Sequence, residues 1–281
     1  MTQGVSCFPF ALRTALLVWA LSCPAGANSQ APPIAAPGRG EKVMVDAWFN
    51  SQQRTNAAGQ LEYFHYKWND SSNSGFFLFG QIFRGYGFAT DTLYSAPTAA
   101  KLQDAQIYII VSPDIPVKNP QPHYVQPEDA RQVAAWVKQG GVLVVMPNDP
   151  ANGDIEHLDQ LADIFGIHFN PVLSHHVVGD NHDAGRIPVA GNGPLFKHPH
   201  TLFMKDTCTI SLKAPAVSLL QDRGDILMAT ARYGKGTVFA VADPWIYNEY
   251  TDGRNLPTEY DNLAGAVELV HWLVEQVPPV P

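Results

Sequence analysis

Apolar and polar positions alternate along this chain in a way that marks out its elements. Continuous apolar runs bounded by Gly, Pro or Asp read as buried strands: Lys42–Phe49, Ala105–Val111, Val142–Met146 and Thr237–Ala242. Thr90–Tyr94 reads as a further short strand. Phe79, Ile82, Phe83 and Tyr86 fall at helical spacing, so a helix is expected over about residues 74–85, with Asn73 or Ser74 as cap. Pro127, Glu128 and Asp129 open the next helix, whose buried face carries Ala130, Val133, Ala134 and Val137 before Gly140-Gly141 stops it. Leu158, Leu161, Ala162 and Phe165 mark a third, and Leu263, Ala266, Val267, Val270 and Val274 a last one.

Strands alternating with helices, the strands apolar throughout, predict an α/β domain with a mostly parallel sheet and helices on both faces. Ile226–Arg232 and Thr237–Ala242 flank Tyr233-Gly234-Lys235-Gly236 as a β-hairpin. Residues 168–220, broken by Gly, Pro, Asn and His, read as a loop and β-ribbon insertion, and Asn50–Arg54 as a polar loop.

The N-terminus changes the domain count. Arg13, the apolar Thr14–Leu21 and the small-x-small Ala25-Gly26-Ala27 have the form of a signal peptide over residues 1–27. Lipid modification at Cys23 is the second alternative. Residues 28–40 form a flexible lead-in rich in Ala, Pro and Gly, which leaves one domain over residues 41–277 in a periplasmic or secreted protein. Cleavage would leave Cys208 as the one cysteine, in an alternating strand-like run that reads as buried and inert.

Charged residues make up 16% of the chain, the net charge is -8 and no basic patch stands out, which argues against nucleic acid. No cofactor is expected: Asn50-Ser51-Gln52-Gln53-Arg54 follows the first strand in place of a glycine-rich phosphate loop, and no Gly-x-Ser-x-Gly elbow occurs. Six of the ten histidines lie between residues 168 and 200, beside Asp180 and Asp183, without a metal-ligand spacing, so no metal is expected.

In a parallel sheet the carboxyl ends of the strands share one edge. That edge would gather Trp48, Asn50, Ser112, Asp114, Asn148, Asp149, Asp243 and Trp245. Each alone is an ordinary turn or cap residue, and their convergence makes a candidate crevice. The densest stretch is Asp243-Pro244-Trp245-Ile246-Tyr247-Asn248-Glu249-Tyr250. Glycoside chemistry needs carboxylates on opposite sides of a bond, so Asp243 and Asp149 are the candidate acid and base. Glu249 is a further carboxylate and His157 an assisting group. Trp245 and Tyr247 would be a stacking platform, Asn50, Asp114, Asn148 and Asn248 would line the site, and Lys67 or Arg254 would pair with a uronate.

The element order resembles the class I glutamine amidotransferase-like (flavodoxin-like) fold. Members working as glutaminases carry a Cys in the turn after the strand corresponding to Val142–Met146; here that turn is Pro147-Asn148-Asp149-Pro150, and glutaminase activity is not expected. Tyr63–Asp70, Asn73-Ser74-Gly75-Phe76, Ile107–Val111, Gly140–Val144, Phe165–Phe169, Gly234–Val241 and above all Asp243–Arg254 are similar to the amidotransferase-like domain appended to bacterial unsaturated rhamnogalacturonyl hydrolases. This chain has no helical hydrolase barrel. The resemblance implies a pectin-type setting, with uronic-acid-containing oligosaccharides as ligand and a separate hydrolase barrel as a further partner. Three readings follow: a carbohydrate-active enzyme cleaving glycosides by acid/base chemistry, a non-catalytic saccharide-binding or accessory domain, and a structural partner of a hydrolase.

Overall fold

The computed structural model describes Met1 and residues 40–279. The expected signal peptide and nearly all of the lead-in fall outside the described residues. Strand β1 (Lys42–Asp46) is followed by a small hairpin, β2 (Gln53–Thr55) and β3 (Leu61–Tyr63). Then come α1 (Phe77–Gly85), β4 (Ala89–Leu93), α2 (Ala99–Leu102), β5 (Ile107–Val111), α3 (Pro127–Lys138), β6 (Val142–Met146) and α4 (Asp159–Ala162). The second half supplies β7 (Ile167–Ser174), β8 (Arg186–Val189), β9 (His200–Phe203), β10 (Thr207–Leu212), β11 (Val217–Asp222), β12 (Asp225–Tyr233), β13 (Gly236–Val241), α5 (Asn248–Thr251) and α6 (Asn262–Glu275).

The main sheet runs β4-β1-β5-β6-β13-β12-β10-β7, with β11 also paired to β12. Its first five strands are parallel. Numbered among themselves they stand in the order 2-1-3-4-5, the flavodoxin-like arrangement. Every residue of β5, β6 and β13 is buried, because helices cover both faces. Helices α1, α5 and α6 touch one another, while α3 touches both α2 and α4. This is the α/β sheet expected from unbroken apolar strands. The Gly234 turn then reverses the chain between β12 and β13, and from there the sheet is antiparallel.

Three expectations are corrected. Asn50–Arg54 runs into the β2–β3 hairpin instead of remaining loop. Residues 168–220 contain five strands, and three of them (β7, β10 and β11) belong to the main sheet, so this region is sheet extension more than insertion. Helix α1 starts at Phe77, and neither Asn73 nor Ser74 caps it. The backbone N–H of Leu78 is instead bonded by the side-chain oxygen of Asn248, at 3.0 Å.

Glycine fixes one contact that holds the layers together. A Cβ at Gly236, the first residue of β13, would lie 2.1 Å from the carbonyl oxygen of Val137 and 2.3 Å from that of Gly141. Only a residue without a side chain lets α3 end this close to the sheet.

Candidate functional site

The strand ends do converge. Asn50 Nδ2 donates to the carbonyl of Ser112 at 2.8 Å, joining the ends of β1 and β5. Asn148 Nδ2 lies 3.3 Å from Ser112 Oγ and 3.2 Å from Tyr66 Oη, joining β6 to both. The Tyr66 ring stands 5.8 Å from that of Tyr247, whose hydroxyl donates to Asp243 Oδ1 at 3.4 Å beyond β13. Ser112 holds φ at +42° and Tyr66 at +52°, both left-handed for non-glycine residues. Tyr66 is the member of this cluster that the strand-end argument omits. It arrives from the aromatic run Tyr63–Trp68, whose density was the only signal of its presence.

Convergence does not make these groups available. Asp243 is 1% exposed, and burial holds its carboxyl well above the usual carboxylate range, with Asp149 and Asp206 pushing the same way. Its Oδ2 is buried without a hydrogen-bond partner. Asp149 closes its own turn, accepting from the Ala151 N–H at 2.9 Å and from Asn152 Nδ2 at 2.6 Å. Asp114 is saturated by Ser51 N, Gln52 Nε2 and Asn119 Nδ2, each at 2.8 Å.

Lys67 is buried. Its ammonium donates to the carbonyl of Asn50 at 2.9 Å, to Asn50 Oδ1 at 2.8 Å and to the carbonyl of His65 at 3.1 Å. Burial pulls it down to about 8, against Asp46, Asp114 and Asp70, which favour the charged form. Asp46, bonded by Tyr108 Oη at 2.6 Å, is raised by burial to about 6. Lys67 thus fills the crevice between β1 and β5, the switch point where this strand order elsewhere receives ligands.

The remaining predicted residues lie apart from this cluster or are committed elsewhere. Trp245, expected as a stacking platform, is fully buried and lies against Gly265 of α6, so neither ring face is open to a sugar. Asn248 donates to the carbonyls of Asp70 (2.9 Å) and Ser72 (2.7 Å) while capping α1, which makes it a structural clamp. His157 pairs with Asp154 at 3.0 Å and stacks on Tyr124. Glu249 is held by Asn255 Nδ2 at 2.6 Å, and the exposed Arg254 pairs with Asp252. Cys208 is buried, its Sγ 3.2 Å from the Ala242 carbonyl, and burial pushes the thiol up.

Open volume lies beside the Asp243–Tyr250 stretch. A cavity of about 390 Å³ is walled by Phe203, Lys205, Asp180, His182, Tyr250 and Asn255. Tyr250 packs against Phe203 at 4.9 Å and against Tyr247 at 5.3 Å, which links the cavity to the strand-end cluster. Lys205 Nζ is 3.8 Å from Asp206 and 41% exposed, so it keeps donor capacity for a ligand. His182 and Asp180 belong to the histidine-rich stretch weighed above for metal, not for a saccharide, and Lys205 carries no sequence signal because it sits in the stretch read as loops. Among the described residues no group of three or more His, Cys, Asp and Glu could hold a metal ion. The histidines of residues 168–200 are mostly paired with carboxylates: His175 with Asp222, His176 with Asp206, His198 with Glu268, and His200 with Asp261 and, at 3.5 Å, Glu268.

No protein-family model matches the chain, and no curated protein matches it. Solved structures do. The structure described as "mmIFT52 N-terminal domain" superposes with a TM-score of 0.61 at 15% identity, covering 83% of this chain and 97% of that one. Cytoplasmic protein STM1381 from Salmonella typhimurium LT2 gives 0.51 at 13% identity, covering 83% and 99%. The exo-beta-1,4-mannosidase Op5Man5 from Opitutaceae bacterium strain TAV5 gives 0.48 at 14% identity, and the match spans 37% of that enzyme. The likeness is one of fold. Among the described residues no helix is long and apolar enough to cross a membrane.

Proposed function

We propose that this chain is an exported saccharide-binding or accessory domain for rhamnogalacturonan-type, uronic-acid-containing oligosaccharides, with the cavity beside Tyr250 as its site. The observation that carries this reading is the cavity's composition: the half-buried ring of Tyr250, backed by the buried Phe203, beside an ammonium, an imidazole, an amide and the Asp180 carboxylate. A partly exposed ring such as Tyr250 packs on the apolar face of a sugar, and Lys205 suits a carboxylate. The amidotransferase-like resemblance supplies the pectin setting. Binding is favoured over cleavage because the expected acid and base, Asp243 and Asp149, are 1% and 5% exposed.

Calorimetry with unsaturated rhamnogalacturonan oligosaccharides tests it. Tyr250→Ala and Lys205→Gln are each expected to weaken binding by about tenfold, a loss of roughly 1.4 kcal/mol. Reducing the uronate to its alcohol should abolish the effect of Lys205→Gln. Unchanged affinity in both variants would remove the cavity from consideration.

A second reading, acid/base cleavage, is favoured by the raised carboxyl of Asp243, which burial pushes toward its protonated form, and by its unpartnered Oδ2. Mass analysis of the same incubations separates the two. New products that disappear with Asp243→Asn would establish an enzyme, and an unchanged mass profile is expected from a binding domain.

A further inference from the structure

A larger cleft lies away from the strand ends, on the outer margin of the sheet. It encloses about 490 Å³ between α1 and the edge strand β4. Phe77, Gln81 and Arg84 line it from α1; spaced by four and then three residues, they present one stripe of the helix. Trp68 forms a wall, held by its indole N–H on the Asp91 carbonyl at 2.7 Å. Tyr94 stands at the end of β4, 53% exposed, with the Tyr63 ring 4.8 Å away.

Two polar groups here, both exposed, have no partner in the fold. Gln81 and Asn69 line the cleft and make no side-chain hydrogen bond among the described residues. Arg84 makes one, from Nη2 to Thr90 Oγ1 at 2.9 Å, leaving its other N–H groups available. Asp91 contributes no free charge, since Lys42 pairs with it at 3.0 Å and the Thr92 N–H bonds it at 2.8 Å.

We infer that this cleft is a second binding site, for a neutral oligosaccharide. Two planar amides and a guanidinium provide in-plane hydrogen bonds to pairs of hydroxyls, and the exposed rings of Tyr94 and Phe77 offer stacking faces. The volume lies within the usual range for small-ligand sites. One guanidinium, already bonded to a threonine, is too little for a phosphate or polyanion. An extended peptide pairing with β4 is disfavoured because Asp91 already occupies the N–H of Thr92, which interrupts the ladder such a strand would need. The inference is independent of the Tyr250 cavity.

The test uses the indole N–H resonance of Trp68, one of six tryptophans, identified by Trp68→Phe. Galactotetraose, xylotetraose and arabinotetraose are titrated in turn into the full chain to millimolar concentration. At least one is expected to move that resonance. Tyr94→Ala and Arg84→Ala, both at exposed side chains, should weaken the response by about tenfold, while Tyr250→Ala leaves it unchanged. A Trp68 signal that stays still with all three sugars overturns the inference, as does a response indifferent to Tyr94→Ala. A threonine-rich decapeptide that moves the signal where sugars do not would replace it with strand pairing.

Discussion

Lys67 and Asp243 are the residues whose ionisation most constrains this protein. In the folded chain Lys67 titrates at about 8, against 10.5 for a free lysine. Between those values the unfolded chain holds a proton that the folded chain has released, so this group's contribution to stability rises with pH. Lys67→Met should lose about 2–4 kcal/mol at neutral pH by leaving the Asn50 oxygens unpaired. Urea unfolding should show that deficit widening toward pH 10, because only the native chain gains there. Asp243 has the opposite sign. Its folded value is raised, so its stabilising contribution is full below about pH 4 and declines as the unfolded carboxyl ionises above it. Asp243→Asn should therefore gain stability relative to the native chain as pH rises from acid to neutral, and a difference independent of pH would mean that Asp243 is ionised in the fold. The convergence of Asn50, Ser112, Asn148 and Asp243 was legible because polar residues directly after apolar strands must come to one edge. The burial of Trp245 was not, since an indole after a proline has the same sequence pattern whether it faces a ligand or α6.

At the scale of elements, Asn248 and Gly236 hold the layers in place. Asn248 donates to two carbonyls and accepts from the first turn of α1, all within the fold. Asn248→Ala should cost about 2–4 kcal/mol in chemical denaturation while leaving sugar affinity untouched in the molecules that remain folded. Gly236→Ala would force α3 off β13 through backbone contacts that cannot move aside, and thermal unfolding should register a large loss or no folded protein. The parallel strands and the helices with strong periodicity were readable from sequence. Strand β7 was not: Asn170 and Pro171 interrupt its pattern and three consecutive residues are exposed, as suits an edge strand with no neighbour on one side. The cap on α1 was hidden for a different reason, since its donor and acceptor are 170 residues apart in the chain.

For the molecule as a whole, the sheet joins a parallel half to an antiparallel half at β13, and the two cavities lie in different places relative to that seam. The Tyr250 cavity takes Phe203 from the end of β9 and Lys205 from the turn leading to β10, whereas the α1–β4 cleft belongs wholly to residues 68–94. Tyr250→Ala and Tyr94→Ala should consequently act additively on any ligand long enough to reach both, with double-variant calorimetry as the check. The position of β13 has a further result for how the protein is made. It pairs on one side with β6, completed some ninety residues earlier in synthesis, and on the other with β12, its immediate predecessor. Until residues 236–241 leave the ribosome, β6 presents an open, wholly apolar edge, and α1 still lacks its cap. The nascent chain should therefore stay prone to aggregation until almost its last elements emerge, and any truncation before Gly236 should yield an aggregating product instead of a smaller folded one.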